Sequence, residues 1–190
     1  MSVTAVVVLV VLFFLAVYAV SIYNGLVRVK HGVTKAWSNI DVLLKQRHDE
    51  LPKLVETCKQ YMQHERSTLE QVINARNAVS SARERGDVNA VGQAESGLRA
   101  GLGQLFALAE NYPQLKANES FQFLQQRISG LENGIADRRE LYNEAANINN
   151  VRVEQFPDVV VARAFNFKAA DLLEFSDAEK ADVDVKALFS

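Results

Sequence analysis

The three histidines, His31, His48 and His64, are the side chains best suited to ligate a metal or move a proton near neutral pH. They fall seventeen and sixteen residues apart, so no two share the i,i+4 helix face that a zinc pair needs. His64-Glu65 opens like a zinc-protease motif but continues Arg66-Ser67-Thr68, with no second histidine. A Glu-x-x-His step of the di-iron type does not occur. Residues 97–103, GLRAGLG, have the glycines of a phosphate loop but lie inside a helical apolar stripe with no strand before them. Asn118-Glu119-Ser120 matches a glycosylation acceptor, although a helix cap accounts for Asn118 more simply. A nucleophile with a positioned base cannot be assembled, so the expectation is a chain that is not an enzyme and takes no cofactor or metal.

Two polar constellations remain: Asn39, Asp41, Gln46, Arg47 and Asp49, and then Glu132, Asn133, Asp137, Arg138, Arg139 and Asn143. Arg47 and Arg138 occupy positions on otherwise apolar stripes, so each must snorkel or meet a carboxylate when helices pack. The expected use of Asn39, Asp41, Arg47, Glu132, Arg138 and Arg139 is an inter-helix polar network that fixes register, not a ligand site.

Long helices must position these groups. The chain has 190 residues, 48% apolar, with nine Gly, three Pro and one Cys, which suits an all-α domain with an appendage and excludes a disulfide scaffold or a turn-rich β fold. Residues 3–22, VTAVVVLVVLFFLAVYAVSI, carry no charge, and twenty helical residues just cross a hydrocarbon core of about 30 Å. Val3, Val10, Phe13, Phe14, Val20 and Ile22 are among the fourteen Val, Leu, Ile or Phe of this run, which together favour insertion by about 4 to 8 kcal/mol at most. A retained anchor is preferred over a cleaved signal, because the run is long and no Lys or Arg precedes it. Arg28, Lys30 and Lys35 follow it, so the positive-inside rule expects the N-terminus outside and the rest in the cytoplasm.

Beyond the anchor and neck (1–27), residues 28–150 are expected to form an antiparallel bundle of three long helices. Val33, Trp37, Ile40, Leu44, Arg47, Leu51, Leu54 and Cys58 begin a four-three stripe that continues to Ala82, predicting one helix near the 3.5-residue period of coiled coils and kinked at Pro52. Gly86 and Asp87 supply a C-cap and an N-cap. The second stripe is Val91, Ala94, Leu98, Leu102, Leu105 and Ala109; the third is Phe121, Leu124, Ile128, Leu131, Ile135, Arg138, Tyr142 and Ala145, with Asn118 as its cap. Gly130 is expected to face the gap between Gly97 and Gly101 in a close approach of backbones. Residues 151–170 read as a strand, a fourth helix or an interfacial patch, with packing on the bundle preferred, and 171–190 as an acidic mobile tail. Net charge runs from +3 over residues 28–66 to −4 over 154–190, with none of the strongly basic, aromatic-interleaved character of a nucleic-acid binder.

The runs Ser21-Ile-Tyr23-Asn24-Gly25-Leu26-Val27, Ala36-Trp37-Ser38-Asn39-Ile40-Asp41-Val42, Arg47-His-Asp49-Glu-Leu51-Pro52-Lys-Leu54, Tyr112-Pro113-Gln-Leu115, Phe156-Pro157 and Phe165-Asn-Phe167-Lys168 together resemble the LemA family of bacterial membrane proteins. The resemblance covers the anchor and nearly all of the domain. It implies a single span in the bacterial inner membrane and a cytoplasmic bundle of long helices, but no catalytic residues. Some relatives are associated with building internal membranes, so the resemblance suggests a scaffold that meets the lipid bilayer, and a hydrophobic anchor on a rod with long stripes is expected to self-associate laterally as a homo-oligomer. An adaptor that docks another membrane protein through its C-terminal segment is the alternative.

Overall fold

In the computed structural model, which describes residues 2–174, the apolar run and the first amphipathic stripe belong to one uninterrupted helix, α1 (Val3–Lys59). It is followed by α2 (Arg66–Arg85), α3 (Val88–Ala109), α4 (Pro113–Lys116), α5 (Glu119–Glu154) and α6 (Asp158–Ala164). The chain is thus all-α among the described residues, as expected. The single helix predicted across residues 33–82 is in fact two, and the break is not at Pro52. That ring lies on the exposed side of α1 between buried Leu51 and Leu54, so the helix absorbs it. The chain turns instead at residues 60–65, where Tyr61 and Met62 N–H groups donate to the Cys58 carbonyl at 3.0 and 2.8 Å. Met62 is fully buried in the turn, and the Tyr61 hydroxyl accepts from Asn118 at 3.1 Å.

Two compact units result, each built from parts of both α1 and α5: residues 2–39 with 140–172, and residues 40–139 with 173–174. In the second unit α2 and α3 form an antiparallel pair joined by two residues. Gly86 takes φ 67° and its N–H closes α2, while the Asp87 carboxylate accepts from Ala90 N–H at 2.9 Å to open α3, so both expected caps are present. Asn118 caps α5 by accepting from Phe121 N–H at 3.0 Å. Ile40, Leu44, Leu54, Val72, Leu98, Leu105, Phe121 and Ile128 fill the core. The glycine contact predicted at Gly97, Gly101 and Gly130 does not form. Gly97 and Gly130 are exposed, and Gly101 accommodates the Val72 side chain of α2, whose Cγ2 would lie 3.6 Å from a Cβ there.

In the first unit α6 docks on α1, with Ala162 buried against Ile22 and Leu26. Tyr23 packs edge-on against Phe165 and Phe167, at 4.9 and 5.6 Å between ring centres, and Trp37 does the same with Tyr142. Residues 168–171 are strapped to α5. The Asn149 and Asn150 amides donate to the carbonyls of Lys168 and Ala170 at 3.1 and 2.9 Å, and the Tyr142 hydroxyl donates to that of Asp171 at 2.8 Å. In the second unit Leu173 is buried and the Glu174 backbone passes over Gly92, where a Cβ would come within 3.0 Å of its carbonyl oxygen. The tail expected to be mobile is therefore packed through residues 171–174; residues 175–190 lie outside the described part.

Candidate functional site

The most heavily charged buried group sits in the second unit, on α1. Arg47 is 2% exposed and its two terminal nitrogens meet different helices. Nη2 donates to Glu95 Oε1 of α3, and Nη1 to Glu132 Oε1 of α5 at 2.5 Å. Glu132 also faces Arg99 of α3, with Nε–Oε2 at 3.6 Å. Two carboxylates and two guanidinium groups thus balance in charge across three helices. An arginine fork suits this, because it presents several donors at fixed angles from one side chain. Burial holds the Glu95 carboxyl above the usual carboxylate range, with Arg47 pulling in the opposite direction. The chemistry of these paired charges is to lock the register of α1, α3 and α5.

The remaining residues expected in the network have other places. Asp41 pairs with Arg83 of α2 at 3.3 Å, while Asn39 is exposed. Arg138, expected on the buried stripe, is exposed, and its neighbour Arg139 is the buried one at 3%. From Ile135 the core face steps by four and then three, through Arg139, Tyr142, Ala146 and Asn149. Glu95 and Arg99 were not anticipated. Leu98 follows Val91 by seven positions, and this step can be divided three-four, through Ala94, or four-three, through Glu95. The apolar choice was the wrong one.

A second polar junction ties α1 to α2 in the same unit. Arg76 donates from Nε to the His48 carbonyl at 2.9 Å and from Nη2 to His48 Nε2 at 2.6 Å. Because a guanidinium only donates, His48 is held neutral with its proton on Nδ1. Burial first, and then the Arg76 charge, lower its pKa below the ordinary 6.5. Among the described residues no group of three or more His, Cys, Asp or Glu is arranged to hold a metal.

α1 contains a window long and apolar enough to cross a membrane. Of the expected span residues, Val3, Val10, Phe13, Phe14 and Val20 are 48–81% exposed, an apolar surface of the kind a lipid-facing helix presents. Ile22 departs from this, being buried at 7% beneath Ala162.

An apolar, outward-facing helix continuing into a helical bundle that is stitched by buried ion pairs defines a membrane-associated helical protein. Residues 36–187 match the model of the LemA family, and the chain belongs to that family. It is 25% identical to Magnetosome protein MamQ 1 and to Magnetosome protein MamQ 2 of Paramagnetospirillum magneticum, in each case covering 88% of this chain and 70% of the relative. It is 27% identical to Protein LemA of Metamycoplasma hominis, over 87% of this chain and 74% of that protein.

Proposed function

We propose that the chain is a membrane-anchored helical scaffold that self-associates at the bacterial inner membrane and organises or shapes it, with no catalytic role. The observation that carries this reading is an apolar stripe on α5 that the described residues leave half exposed. Leu141, Ile148 and Val151 are about half exposed (50, 47 and 50%), and at spacings of seven and three they share one helix face. In the same compact unit α1 presents the apolar span. Copies held in one bilayer meet at high local concentration, so a modest apolar stripe suffices to associate them. Kinship with proteins named for the magnetosome supports a role in organising membrane. Arg28, Lys30 and Lys35, just past the span, support a cytoplasmic bundle.

Light scattering of the full chain in mild detergent tests this. Discrete oligomers that Leu141→Glu with Ile148→Glu converts to monomers are expected, and a monomeric parent protein would refute self-association. The second reading is an adaptor for another membrane protein. It draws on Phe156 and Val160, which flank and open α6 and are 83% and 61% exposed. Phe156→Ser with Val160→Ser would then release a co-purifying partner while leaving the oligomer intact.

A further inference from the structure

The apolar side of α1 gives way to Ser21, Asn24 and Arg28 one turn apart, and at this level α5 and α6 of the same unit lie against it. The Arg152 guanidinium of α5 rests on the α1 backbone at Gly25, where a Cβ would sit 2.6 Å from its Nη2. The missing side chain is what admits the guanidinium so close. Asp158 of α6 pairs with Arg152 through Nε and accepts from Gln155 at 3.0 Å. Arg28 is exposed and has no ion-pair partner among the described residues. Arg28 and Arg152, with Ser21, Asn24, Val17 and Val20, line an open cleft of about 540 Å³, and Asp158 stands behind Arg152. Asp158 offsets one of the two arginine charges, so the group as a whole keeps a single positive charge.

The vertical order of these residues matters. Val17 and Val20 are 51% and 59% exposed and belong to the apolar run, while Arg28 begins the basic flank. If α1 spans the bilayer, as the proposed function holds, the cleft opens at headgroup level, apolar toward the acyl chains and cationic toward water. Guanidinium forks match phosphate oxygens, and a net positive site prefers a headgroup of net negative charge over a zwitterion.

We propose that this cleft binds the phosphodiester headgroup of an anionic phospholipid, with Arg28 and Arg152 on the phosphate and Ser21 and Asn24 beside its polar substituent. Native mass spectrometry of the full-length protein in mild detergent, offered phosphatidylglycerol or phosphatidylcholine at equal concentration, tests it. Retention of phosphatidylglycerol should exceed that of phosphatidylcholine by about fivefold, the worth of one interfacial charge, and Arg28→Gln should abolish the difference. Lys30→Gln removes the same charge two residues further on and should leave the preference in place. Gly25→Leu, which displaces Arg152 without altering charge, should weaken it. Equal retention of both lipids, or equal losses in Arg28→Gln and Lys30→Gln, would overturn the proposal. Displacement of the lipid by inorganic phosphate alone would also overturn it, by making free phosphate the ligand. Reconstitution into phosphatidylcholine nanodiscs separates the two readings. Wild-type protein that enters no disc refutes the span and the cleft with it, whereas normal entry without a lipid preference refutes the cleft alone.

Discussion

Replacing Arg47 by Met should be among the most damaging single changes in the second unit, and its cost should depend on pH. The Met side chain fills much of the alkyl volume but leaves Glu95, whose side chain is 9% exposed, without the donor on its Oε1. Breaking a buried ion pair from one side costs about 3–5 kcal/mol. Glu132 keeps Arg99 at 3.6 Å and Glu95 can take up a proton, so the loss should fall at the low end, about 3 kcal/mol, or a fall in Tm of about 6–12 °C for a chain of this size. Burial already raises the Glu95 pKa, and removing Arg47 raises it further. The folded variant then binds a proton that the unfolded chain, with an ordinary carboxylate, releases. Its stability therefore falls as pH rises from the ordinary carboxylate value to the raised native one, and the deficit against wild type should be smaller at pH 5 than at pH 8. Arg47→Met with Glu95→Leu removes both charges and should recover most of the loss. Thermal melts of the full chain followed by circular dichroism at both pH values measure all of this. A single-variant loss below about 1 kcal/mol, or one independent of pH, would refute the description of a buried, charge-balanced network.

Acidification should destabilise the α1–α2 junction. The native pKa of His48 lies below 6.5, so as pH falls the unfolded chain takes up the proton first. Stability that is complete above pH 6.5 is lost as pH drops through the depressed native value, and His48→Gln should flatten that part of the Tm-against-pH curve. Burial pushes the Cys58 thiol up to about 12, so maleimide at pH 7.5 should leave the folded chain unlabelled and react only on unfolding. Asp87→Ala removes the cap on α3, bonded at 2.9 Å, and should cost about 1 kcal/mol, which calorimetry would register as a Tm lower by about 2–4 °C.

What could be read from the sequence follows from how local its causes are. The apolar run, the Gly86-Asp87 boundary and the Asn118 cap depend on a few adjacent residues, and the structure has all of them. The turn at residues 60–65 contains neither Gly nor Pro and is held by Met62 burial and by the Asn118–Tyr61 hydrogen bond, which come from distant parts of the chain. The four-three stripe runs straight through it. Both errors in the polar network have one source. A step of seven positions divides equally well as three-four or four-three, and between Ile135 and Tyr142 both middle positions, Arg138 and Arg139, are arginine. Only the Arg47 guanidinium on the facing α1 could have decided between Ala94 and Glu95. The packing of residues 168–174 was hidden for a different reason: it uses backbone carbonyls held by Asn149, Asn150 and Tyr142, and acidic composition carries no trace of that.

Self-association through the α5 stripe is tested most directly in the membrane itself. Val151→Cys places a thiol on the stripe, while the native Cys58 is fully buried and serves as an internal blank. Treated with a short bis-maleimide in isolated membranes, Val151→Cys should yield covalent dimers, and wild-type protein and the exposed α3 control Gln93→Cys should not. Val151→Cys that stays monomeric under conditions where its thiol is shown to be fully reactive would contradict the scaffold.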